Sequence, residues 1–67
     1  MSMMRARALA DSDQDCDIDF QRGDLLIADL SAEVNEGYLM VENPSTGKKG
    51  LVSMNGMLGM EGAKSTV

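Results

Sequence analysis

The chain is expected to fold as all-β, a small barrel of five short strands. Three observations lead there. Its apolar runs are short and alternate rather than recur at helical spacing. Turn residues punctuate them at close intervals. With 67 residues there is room for one domain, and one that hides only about 60% of its unfolded surface.

Residues 1–4 are expected to be a disordered start. Residues 5–10 alternate, with Ala6 and Ala8 on one face. An acidic loop follows over 11–17, and then Ile18-Asp19-Phe20 alternates again. Gln21-Arg22-Gly23-Asp24 reads as a tight turn, Gly23 supplying a positive φ at low steric cost. Residues 25–30 form an apolar run, bounded by a polar stretch that ends at Gly37. Residues 38–42 give the next strand signal. Asn43-Pro44-Ser45-Thr46-Gly47 is the clearest turn, since Pro44 offers no ladder donor, and residues 48–52 return from it as a hairpin. Ser53-Met54-Asn55 is a break with room for a single 3₁₀ turn before Met57-Leu58. The domain therefore spans 5–58, and 59–67, poor in apolar residues, reads as a flexible tail.

Composition narrows the function. The net charge is −5, with acid packed into residues 11–24. Nucleic acid and anionic membrane surfaces both call for a basic face, so neither is expected as a partner; a basic protein or peptide is. The chain has no histidine, which removes Ser-His and Cys-His catalysis and the usual zinc ligands. Its one cysteine excludes an internal disulfide and points to a reducing, cytoplasmic setting. No apolar window approaches the roughly 18 residues that span a bilayer. Residues 1–4, followed by Arg5 and Arg7, lack the apolar stretch of a secretory signal. Nothing calls for a cofactor, and the oligomeric state stays open.

The order and spacing of four motifs resemble the Src-homology-3 (SH3) family. Ala8-Leu9-Ala10-Asp11-Ser12 is similar to its ALYDY opening. Asp17-Ile18-Asp19-Phe20 with Gly23-Asp24 resembles its DLSF…KGD stretch, and Tyr38-Leu39 sits where its paired tryptophans fall. Residues 50–57, Gly-Leu-Val-Ser-Met-Asn-Gly-Met, are similar to GLVPSNYV. The resemblance implies a core of Ala6, Ala8, Ile18, Phe20, Leu26, Ala28, Val41, Val52 and Met57, all of them apolar.

It also implies a non-enzymatic interaction module of an adaptor, scaffold or signalling protein. The family holds proline-rich peptides between aromatic walls, and this sequence has removed most of them. The two ALYDY tyrosines fall on Ala10 and Ser12, and the PSNY proline and tyrosine fall on Ser53 and Gly56. Tyr38 and Asn55 are kept. The family's acidic position, which pairs with a ligand arginine beside the tryptophan, falls on Asp17, with Asp13 and Asp15 close by. The expected ligand-binding residues are therefore Asp13, Asp15, Asp17, Tyr38, Met54 and Asn55, taking a basic segment in place of an ordinary PxxP peptide. A guanidinium would sit on Tyr38 and bond Asp17 in a two-pronged way. The bland alternatives are a solvated acidic loop and a conventional, weakly PxxP-binding adaptor domain.

Other readings compete. Residues 11–22 overlay a calcium-binding EF-hand loop at several acidic positions. They put Cys16 where the loop needs glycine and Arg22 where it needs a bidentate glutamate. Cys16, between Asp15 and Asp17 with no cation adjacent, reads as an inert exposed thiol. Lys48-Lys49 reads as a solvated turn that discourages edge pairing. Met54, Met57 and Met60 suit a soft binding patch or core filling equally. For an enzyme, the only acid–base candidates are carboxylates crowded on one exposed loop. If Val67 is the true carboxyl terminus, Ser65-Thr66-Val67 resembles the S/T-x-V ending that PDZ domains bind.

Overall fold

The computed structural model describes residues 2–54 and 57–60. The strands are β1 (Met3–Ala8), β2 (Leu25–Asp29), β3 (Tyr38–Asn43), β4 (Lys48–Ser53) and β5 (Leu58–Met60). They pair antiparallel in the order β4-β3-β2-β1-β5. The sheet curls into a half-barrel of SH3-like form, with no helix among the described residues.

Alternation decides which side chains enter the core. Leu26 and Ala28 of β2, Val41 of β3 and Val52 of β4 are wholly buried, and Ala6 and Ala8 of β1 join them. Ile18, Phe20 and Met57 close this core from the connecting segments. Every core residue that the sequence suggests is therefore buried. Leu39 is a further member, only 8% exposed and paired with Val52. It shares the inward face of Val41, so its position beside Tyr38 does not make it a groove residue. Ile18-Asp19-Phe20 keeps its alternation of burial but belongs to no strand.

Two boundaries differ from the sequence reading. Met3 and Met4, placed there in a disordered start, pair with Asp29 and Ala28 in β1. Gly59 and Met60, placed in the flexible tail, pair with Arg7 and Ala6. Methionine and glycine are weak local signals for a strand, and a long-range partner supplies the ladder that they do not announce. Residues 61–67, and with them the Ser65-Thr66-Val67 ending, lie outside the described residues.

The 9–24 segment folds back onto the sheet along a chain of hydrogen bonds. The Ser12 N–H donates to the Phe20 carbonyl oxygen (3.0 Å), and the Phe20 N–H donates to Ser12 Oγ (3.1 Å). In the Gln21–Asp24 turn the Gln21 N–H donates to Asp24 Oδ2 (2.9 Å), while Gly23 takes a φ of 94° and donates its N–H to the Ala8 carbonyl (2.8 Å). Asn43 carries the one buried polar side chain among the described residues, at 2% exposure. Its Nδ2 donates to the Asp19 carbonyl (3.1 Å) and its Oδ1 accepts the Ser45 N–H (3.0 Å). One side chain thus caps the hairpin turn and ties it to the folded-back segment, leaving no polar atom unmatched.

Phe20 is the only phenylalanine in a core that includes three alanines. Phe20→Ala should cost about 3–5 kcal/mol. That is a large part of the stability of a domain this size. The urea midpoint of the variant should fall steeply; an unchanged midpoint would remove Phe20 from the core.

Asp29 gives a pH dependence. The Ser31 hydroxyl donates to its Oδ1 (2.7 Å), the Ser31 N–H donates to the same oxygen (3.0 Å), and Lys49 lies nearby. The Ser31 hydroxyl, then its N–H, then the Lys49 charge hold the carboxyl below the usual aspartate range. A depressed folded value adds stability above the unfolded aspartate pKa, lost as pH falls through the folded one. Urea midpoints measured from pH 6 down to pH 2 should therefore drop less steeply for Asp29→Asn than for the native chain. Parallel profiles would show that Asp29 contributes nothing.

Candidate ligand-binding surface

The hairpin of β3 and β4 sets Tyr38 opposite Ser53. Together with Gly37 and Met54 they frame an open cavity of about 480 Å³. The Met54 N–H donates to the Gly37 carbonyl (2.9 Å), so the end of β4 is pinned to the residue that enters β3. Met54 is 45% exposed and Tyr38 is half-buried, giving the cavity one aromatic wall and one soft apolar wall. Two of the residues singled out by the sequence therefore share one hollow. Asn55 lies outside the described residues.

The acidic loop is anchored on the same strand. The Asp17 N–H donates to the Leu51 carbonyl (2.8 Å), and the Leu51 N–H donates to Asp17 Oδ2 (3.1 Å). Asp17 thereby satisfies both backbone groups that Leu51 turns outward from the edge of the sheet. A side chain at position 50 would obstruct it: a Cβ on Gly50 would lie 2.6 Å from the Asp17 Cβ and 3.1 Å from Ile18 Cγ2. Glycine at 50 is a condition of the loop's docking. Leu51 precedes Ser53 by two residues, which is about 7 Å along a strand. The loop thus meets β4 one pleat repeat away from the cavity wall.

The sequence assigns Asp17 to the ligand alone. The structure gives one of its oxygens to the protein, while the side chain stays exposed. Asp13 and Asp15 are also exposed. Asp13 organises their turn, its Oδ1 accepting the Asp15 N–H (2.9 Å) and the Cys16 Sγ–H (3.6 Å). Cys16 is not the exposed thiol that the sequence suggests; it is half-buried against the core. Met57 is core, and Met54 belongs to the surface.

Two positions that the resemblance assigns to a groove have structural roles in this chain. Ala10 packs against the core, and the Ser12 hydroxyl caps Phe20. A second open cavity, of about 440 Å³, lies between the Gln21–Asp24 turn and the hairpin turn, with Asp11, Asp19, Phe20 and Thr46 in its lining.

The calcium reading needs Asp11, Asp13, Asp15 and Asp17 to converge on one ion. Their carboxylates are spread over separate backbone donors instead: Asp11 accepts from Arg22, Asp13 from Asp15 and Asp17 from Leu51. Among the described residues no three acidic, histidine or cysteine side chains are grouped to hold a metal. No helix among them is long and apolar enough to cross a membrane. No known protein family, curated protein or solved structure matches the chain.

Millimolar calcium should leave the melting temperature almost unchanged, because a ligand stabilises only as far as it binds the native state. A rise of several degrees, with shifts at the Asp11, Asp13 and Asp15 amides, would bring the metal reading back.

Proposed function

We propose that this chain is a non-enzymatic protein-interaction module of SH3 type, which binds a basic segment between its acidic loop and the Tyr38 cavity. The observation that carries the reading is the docking of the loop on β4. It brings Asp17 to the strand that walls the cavity, two residues from Ser53. A guanidinium or ammonium group then has a π face at Tyr38 and exposed carboxylates close by. An aliphatic stem or neighbouring apolar residue of the ligand packs on Met54.

Ordinary PxxP peptides suit this surface poorly. Two proline rings need paired flat walls, and the cavity offers Tyr38 alone. A cytoplasmic adaptor or scaffold role follows from the same reading, with the partner's basic charge supplying the selectivity. Binding of this kind weakens as salt rises, since exposed charges are screened over about 10 Å at 0.1 M ionic strength.

A nitrogen–proton NMR titration tests the reading with two peptides, one rich in arginine and one a simple PxxP sequence. The arginine peptide should shift the Gly37, Tyr38, Ser53 and Met54 amides, and the shifts should shrink between 50 and 300 mM salt (about a fivefold loss or more in affinity). Asp17→Asn keeps an oxygen for the Leu51 N–H and removes the charge, so it should weaken binding more than Asp11→Asn. Low-micromolar affinity for the PxxP peptide, or no difference between the two variants, would contradict the proposal.

A further inference from the structure

The methionines of the described fold meet water unequally. Met54 is 45% exposed and Met3 44%, whereas Met57 lies in the core at 8%. Met4 and Met40 are half-buried. A thioether reacts with a peroxide only where solvent brings the oxidant to its sulfur, so exposure orders their reactivity. Of the two exposed sulfurs, Met54 lines the Tyr38 cavity, while Met3 stands at the start of β1, outside that lining. Among the residues that frame the cavity, Gly37 has no side chain and Ser53 a short polar one. Met54 therefore supplies the soft apolar wall and Tyr38 the aromatic one. The bond from the Met54 N–H to the Gly37 carbonyl (2.9 Å) fixes the backbone from which that wall extends.

We propose that Met54 is an oxidation site, and that its conversion to the sulfoxide lowers the affinity of this surface for a basic segment. The inference rests on the reading of the Tyr38 cavity as a ligand site. Hydrogen peroxide is the oxidant. The sulfur lone pair attacks one peroxide oxygen, and an S–O bond forms as the O–O bond breaks. The departing hydroxide takes the proton of the new S–OH group and leaves as water. Sulfur loses two electrons and the peroxide gains them.

The product is a polar, chiral group in place of a flexible apolar one. An aliphatic stem that packs on the thioether would have to strip water from the new S–O dipole. Tyr38 keeps its π face and Asp17 its charge, so the contacts of the cation itself survive and only the apolar packing is lost. Binding is weakened rather than abolished. Met57, shielded in the core, keeps its sulfur reduced, so the change stays at the surface.

Peroxide treatment of the full chain, followed by peptide mapping in a mass spectrometer and by a binding titration, tests the proposal. Met3 and Met54 should gain an oxygen atom well before Met57, with the circular dichroism spectrum unchanged. Affinity for an arginine peptide that also carries a leucine should fall about fourfold or more, the worth of roughly one methylene contact. Methionine sulfoxide reductases should restore it. Met54→Leu, whatever its starting affinity, should bind equally before and after the same treatment. Met3 and Cys16 are common to both chains, so the difference belongs to position 54. Oxidation of Met54 no faster than Met57, an affinity that oxidation leaves unchanged, or a loss that Met54→Leu shares overturns the proposal and leaves the ligand site standing. An unoxidised native chain that does not bind the peptide removes the ligand site itself, and this inference falls with it.

Discussion

The exchange of hydrogen bonds between Asp17 and Leu51 holds the folded-back acidic segment on the sheet. The sheet alone is an open, curled ribbon with β4 at one edge. Its core is complete only when the 9–24 segment folds back and delivers Ile18 and Phe20. Asp17 fixes that segment at the edge, and Gly50 leaves the space it needs. The Asn43 amide fixes the same segment further along, through the Asp19 carbonyl. A single docking event thus buries the largest core side chain, closes part of an exposed edge and ties Asp17 to the strand that carries Ser53. Folding and the candidate site share this contact, which needs the space at Gly50 and an oxygen acceptor at position 17.

Much of the fold was legible because alternation is a local property. Ala6 with Ala8, Leu26 with Ala28, and Val41 two residues from Leu39 declare their faces without knowledge of the partner strand. Leu39 was left out of the expected core, which was taken from the family resemblance, although the two-residue period that runs back from Val41 points it inward. Met3, Met4, Gly59 and Met60 were missed for a different reason. Their strand character comes from pairing with Asp29, Ala28, Arg7 and Ala6, and such register is a long-range fact that no window of sequence carries.

The placement of some candidate site residues was legible in the sequence, and their contacts were less so. Tyr38 and Met54 were expected at one surface, and they line one cavity. The acidic loop was expected beside it, and its anchor on β4 is consistent with that. The bond from the Leu51 N–H to Asp17 was not legible, because charged residues in a loop look solvated from sequence alone. The signal that could have revealed it was Gly50, a glycine inside an apolar strand, which often marks the close approach of another backbone. Positions 10 and 12, which the resemblance assigned to groove walls, follow the same logic: Ala10 makes a core contact and Ser12 a hydrogen-bonded cap.

The central claim is that the acidic loop is docked on β4 through Asp17, and solution NMR reads this directly. Amide hydrogen exchange at Leu51, combined with nuclear Overhauser effects from the Gly50 α-protons, distinguishes a docked loop from a solvated one. The account predicts slow exchange at the Leu51 amide despite its place on an edge strand, with cross-peaks from Gly50 to the Asp17 β-protons and an Ile18 methyl. Fast exchange at Leu51 with no such cross-peaks would show a free loop, and with it the site described above would be undone.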